Sequence, residues 1–231
     1  MKISTFFEEF HIRLLVGCTI LTSITTQILM QTGGGPREGQ FDLTEAFQPF
    51  FEEFVFTGLP PFISSGGVFS PEIYVFQIGF SLTGILILCL VRRLHGKNGI
   101  LPFDGTLTRR VAVGMGCIVG LSLMGIVHFS FIEEPLIHAY FAGIIFSGSL
   151  AWLGSVHLSC RDLEDKQTTF GISSLAMRTW GLRIGIFCWL AMPIPLFFMQ
   201  LEIAALLEWA MMLSLQAGLF SLEPLLMKKL D

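Results

Sequence analysis

Glu208 and His138 lie inside long apolar runs, and His128 lies near the end of another. A carboxylate about a turn and a half into a membrane span costs on the order of 2.5–3.5 kcal/mol on insertion scales unless it is protonated, paired or wetted. Glu208 therefore demands a partner. An imidazole exchanges protons near neutral pH, and a neighbouring carboxylate can orient it or act beside it as acid or base. Ser64 and Ser65 add two hydroxyls, and Glu72 adds a second carboxylate at the head of the next apolar run.

Three arrangements are open. His138 and Glu208 could form a purely structural interhelical hydrogen bond, of the kind that holds membrane bundles together. They could join Ser64 or Ser65 in a lipid-headgroup or catalytic site. His128 could be no more than a solvated helix end. The spacing of the histidines matches no local metal motif, so neither a metal nor a cofactor is expected. No residue is assigned as catalytic beyond the candidates His138 and Glu208. The chain carries no Gly-x-Ser-x-Gly elbow, no His-Glu-x-x-His and no phosphate-cradling glycine loop. The reading therefore leans away from an enzyme. The lipid-binding candidates are Ser64, Ser65, Glu72, His128, His138 and Glu208.

These residues must be positioned by membrane-spanning helices. Of 231 residues, 52% are hydrophobic and only 14% charged, with a mean hydropathy of +0.70, a composition that a soluble domain of this size could not keep in solution. The chain is expected to be all-α, a single six-span bundle over 1–231, with spans at about 14–31, 73–91, 111–131, 136–158, 179–199 and 204–222. A cleaved signal peptide would end in small residues, whereas the first run passes into Gln27, Leu29, Met30 and Gln31. Gly114, Gly116, Gly120 and Gly125 let a neighbour approach the third span closely. Pro193 and Pro195 predict a kink late in the fifth. Cys18, Cys89, Cys117 and Cys188 lie within apolar runs and Cys160 just past one, so no disulfide framework is expected.

Between the first two spans, Phe47, Phe50, Phe51 and Phe54 recur at helical spacing, which predicts an amphipathic helix over Phe41 to Phe56. The stretch Leu-Pro-Pro-Phe-Ile-Ser-Ser-Gly-Gly-Val-Phe-Ser-Pro-Glu, from Leu59 to Glu72, follows. Its prolines and glycines forbid a continuous helix, yet its large apolar residues predict an ordered, partly buried loop. Nearly all lysines and arginines, from Lys2 and Arg13 to Lys228 and Lys229, fall on the side of the termini, and Arg37 stands alone on the other. The positive-inside rule then makes both termini cytoplasmic and puts His138, Glu208 and the loop toward the opposite, outer face.

Leu59-Pro60-Pro61-Phe62-Ile63-Ser64 with Pro71-Glu72, Ile137-His138 and Leu207-Glu208-Trp209 together resemble motifs of the DRAM (damage-regulated autophagy modulator) family. The wider superfamily includes Golgi factors that remodel GPI-anchor lipids, the N-terminal domain of fungal cell-wall biogenesis proteins and plasma-membrane regulators of phosphoinositide 4-kinase. The resemblance implies a multi-pass regulator without catalysis of its own, in autophagy, lysosomal or phosphoinositide-linked membrane homeostasis. It implies, as the alternative, a lumenal-side lipid-headgroup binding or remodelling factor in GPI-anchor maturation. Membrane lipids and other membrane proteins are the implied partners, with no nucleic acid. The implied location is the endomembrane system (Golgi, lysosome or endoplasmic reticulum) or the plasma membrane. Tag or protease mapping is expected to place both termini on the cytoplasmic face. Ends on opposite faces would separate His138 from Glu208 in depth.

Overall fold

Hydrocarbon leaves a spanning backbone no water to bond with, so such a chain satisfies its peptide groups within helices. The computed structural model describes residues 3–32, 41–42, 55–56, 61–96, 99–101, 105–160, 168–169 and 171–227. Helix α1 (Ile3–Thr32) is followed by strands β1 (Phe41–Asp42) and β2 (Val55–Phe56) and by a 3-10 turn (Ile63–Gly67). Next come α2 (Glu72–His95), α3 (Leu107–Ile126) and α4 (Pro135–Cys160), then the short strands β3 (Thr168–Thr169) and β4 (Ile172–Ser173). Helices α5 (Ser174–Ala191), α6 (Pro193–Phe197), α7 (Leu201–Phe220) and α8 (Glu223–Met227) complete the chain. Six stretches are long and apolar enough to cross a membrane: Phe10–Thr32, Glu72–His95, Leu107–Ile126, Pro135–Cys160, Ser174–Phe197 and Leu201–Met227. The chain is a six-span, all-α membrane protein.

The local departures from expectation have physical causes. Phe41 pairs with Phe56 and Asp42 with Val55 in antiparallel register, so the ends of the expected amphipathic helix are extended. Residues 43–54, which carry its phenylalanine periodicity, lie outside the described residues. The third span stops at Ile126 rather than 131. Beyond it, the Ser130 hydroxyl accepts from the amides of Ile132 and Glu133, a local bond that competes with helix. Pro135 then opens α4, where its missing N–H is no loss. The fifth span breaks where expected, between Ala191 and Pro193, because proline cannot donate to the preceding turn.

The helices pack in sequence, α1 on α2, α2 on α3 and α3 on α4, while α5 and α7 form a second tight pair. Helix α7 also touches α1 and α4, which closes the bundle. Small residues set the close approaches. Gly84 lies against Gly120, and Gly181 against Ser214 and Gly218. Of the four glycines named in the third span, Gly116, Gly120 and Gly125 face neighbours, whereas Gly114 has open space where a Cβ would stand. At the other end of the helices from the 3-10 turn, Arg13 Nε donates to the Glu223 carboxylate and Arg93 Nη2 to the Leu226 carbonyl at 3.4 Å. The start of the first span and the end of the last are thus fastened together, as an even number of passes requires.

A Cβ on Gly181 would stand 2.6 Å from the Ser214 carbonyl oxygen, a backbone atom that cannot swing away. Gly181→Ala is expected to destabilise by about 1–3 kcal/mol through overpacking. Gly114→Ala is expected to be neutral or stabilising by up to about 1 kcal/mol. Thermal unfolding of the two variants in the same detergent checks both.

Candidate functional site

From Pro61 to Pro71 the backbone is not α-helical, yet Pro61, Ile63, Ser65 and Gly66 are buried. Its peptide groups therefore need partners from elsewhere in the protein. Three side chains provide them. Glu208 Oε2 accepts from the Ile63 N–H at 2.8 Å, and the Trp209 indole N–H donates to the Pro61 carbonyl at 3.0 Å. Gln27 Nε2, from α1, donates to the carbonyls of Phe62 at 3.1 Å and Ile63 at 3.2 Å. Two adjacent residues of α7 and one of α1 thus hold the entry to the 3-10 turn from both sides. Gly66 lies against Thr26 and Gly67 against Phe76, so the turn seats at glycine distance on α1 and α2.

His138 sits one turn into α4 and is 3% exposed. Its Nδ1 donates to the Phe129 carbonyl at 2.8 Å, across the turn that joins α3 to α4, and the Phe131 ring meets it edge-on. Nε2 is buried and has no hydrogen-bond partner. Ser64, His138 and Glu208 all line one cavity, which encloses about 850 Å³ of space between atoms, its opening included. The remaining wall is largely apolar, with Phe76, Phe80, Phe146, Ile145, Leu215 and Leu219 among its residues. Along α7 the lining runs from Glu208 to Leu219, about 16 Å at the helical rise. This is half of a roughly 30 Å hydrocarbon core, the depth of one leaflet.

The direct His138–Glu208 hydrogen bond, one of the arrangements the sequence left open, is not the one formed. Each side chain bonds instead to the backbone of a nearby loop, Phe129 for His138 and Ile63 for Glu208. The other candidates disperse. His128 is exposed in the turn after α3 and is not part of the cavity wall. Ser65 is buried with no hydrogen-bond partner for its Oγ, Glu72 is buried at the first turn of α2, and neither is part of the cavity wall. Among the described residues, no cluster of three or more His, Cys, Asp or Glu is placed to hold a metal ion. Sequence reasoning passed over Gln27, and over Gln216 and Trp152, which line the deep part of the cavity. Gln27 and Gln216 carried a usable signal, an amide within an apolar run.

The sequence model of the Frag1/DRAM/Sfk1/Cwh43P N-terminal domain matches residues 43–222, most of the chain, beginning after the first span. Neither curated proteins nor solved structures give a match.

Replacing Glu208 tests its hold on the loop. Glu208→Gln keeps an oxygen that can accept from Ile63, whereas Glu208→Leu leaves a buried N–H unmade, expected to cost about 1–3 kcal/mol. Thermal unfolding is expected to rank wild type and Gln together above Leu, with limited proteolysis of the Leu variant cutting first near the 3-10 turn.

Proposed function

We propose, for a chain that belongs to the Frag1/DRAM/Sfk1/Cwh43P N-terminal domain family, that it is a DRAM-like multi-pass membrane protein that binds a membrane lipid and has no catalysis of its own. The acyl chain lies along the apolar wall of the central cavity, and the polar end stands beside Ser64, His138 and Glu208. The observation that carries this reading is that these three residues, from distant parts of the chain, share one cavity of a leaflet's depth. Binding is favoured over chemistry because His138 Nδ1 and one Glu208 oxygen are already held by backbone groups. In this reading the lipid reports membrane composition to a regulator acting in autophagic, lysosomal or phosphoinositide-linked homeostasis. The membrane is the endomembrane system or the plasma membrane, with cytoplasmic termini.

A second reading, a lumenal-side factor in GPI-anchor lipid remodelling, draws on the same geometry. Ser64 and the free Nε2 of His138 stand at one cavity, so a lipid headgroup could be handled there.

Ala142 lines the cavity from α4. Ala142→Phe should fill it without touching the loop anchors. Mass spectrometry of protein purified in mild detergent is expected to find a bound lipid on the wild type and several-fold less on the variant at unchanged thermal stability. Equal lipid load on both would overturn the reading.

A further inference from the structure

We infer that the cavity selects an uncharged lipid bearing hydrogen-bond donors, an alcohol or amide such as a diacylglycerol, over a lipid with an anionic headgroup. The inference rests on the lipid-binding reading above and names its ligand class.

The wall offers acceptors. A carbonyl oxygen can only accept, so the bond to Phe129 puts a proton on His138 Nδ1, and the neutral ring then presents a lone pair at Nε2. That lone pair is buried, unpartnered and on a side chain of the cavity wall. It calls for an O–H or N–H from an occupant. Thr19 and Thr83, also in the wall, commit their hydroxyl protons to the carbonyls of Leu15 and Gly79, which leaves oxygen lone pairs for any occupant. The wall also holds donors, the Trp152 indole N–H without a partner, the Ser64 and Ser149 hydroxyls and the Gln216 amide, and all of them are neutral.

The wall does not offer positive charge. Among the described residues lining the cavity there is no lysine or arginine, and the ionisable ones are His138 and Glu208. Glu208 adds no positive charge in either protonation state, and one of its oxygens is occupied by Ile63. Arg13 and Arg93 belong to the opposite end of the bundle, beside Glu223 and Leu226. A phosphate drawn into this wall would lose its hydration without gaining a counter-ion. A hydroxyl would lose water and gain Nε2.

The test uses the full chain in micelles with two photoactivatable probes of identical diazirine tail, a diacylglycerol and a phosphatidic acid. Labelled peptides are mapped by mass spectrometry and competed with unlabelled dioleoylglycerol or dioleoyl phosphatidic acid. Labelling on α4 and α7 is expected, with dioleoylglycerol displacing the probe at about tenfold lower concentration, the scale of one well-made hydrogen bond. His138→Phe is expected to erase that preference and His138→Gln, which keeps an amide acceptor, to retain it. Phosphatidic acid competing as well or better, or Phe and Gln variants behaving alike, would overturn the ligand class while leaving cavity binding intact. Failure of both probes to label α4 or α7 would overturn the lipid-binding reading and this inference with it.

Discussion

An irregular backbone packed among apolar helices must find its hydrogen bonds inside the protein, and the passage from Pro61 to Gly67 imposes that requirement on the bundle. Pro61 lightens the requirement by having no N–H. The rest is met by Glu208, Trp209 and Gln27, whose atoms must arrive at the right height on α7 and α1. Most of what is distinctive at this end of the molecule follows. The adjacent pair Glu208-Trp209 is held to one register against the turn. Gly66 and Gly67 are needed where Thr26 and Phe76 come close. The carboxyl group of Glu208 has a peptide N–H within hydrogen-bond reach, which satisfies one of its buried oxygens.

The same requirement shapes the cavity. The turn is wedged among α1, α2 and α7, and its Ile63 and Ser64 form part of the cavity wall. The α5–α7 pair closes the bundle against α1 and α4 by lighter packing than holds the sequential helices together, and the space between remains open. Charge is divided along the axis. Arginines cluster where the first and last spans are fastened, and the loop end presents an imidazole, a carboxyl and hydroxyls. An occupant reaching from the loop end meets Ser64, His138 and Glu208 first, and beyond them a largely apolar wall that also carries Thr19, Thr83, Trp152 and Gln216.

The six spans and their approximate limits were legible because hydrocarbon tolerates only long apolar helices, and the breaks fell at Pro135 and Pro193, whose effect is local. That His138 and Glu208 fall within the first turns of their helices was legible from the order of residues. The partners were not. A histidine and a carboxylate at equal depth invite the inference of a direct bond. Only the path of the turns put the Phe129 carbonyl and the Ile63 amide nearer. The phenylalanine repeat before the loop misled at its ends, where strand pairing between Phe41 and Phe56 overrides helical spacing.

What the amino-acid order determined by itself is the class of the protein, its number of passes and which polar residues would be out of place in lipid. Each of these depends on composition within a single helix length. Tertiary structure alone decided that Gln27 and Glu208, from the first and last spans, grip one loop, and that Ser64, His138 and Glu208 line one cavity from which Ser65, Glu72 and His128 are absent. Side-chain partnership across helices depends on rotation about each helix axis and on packing at individual glycines, and neither leaves a periodic trace in one sequence.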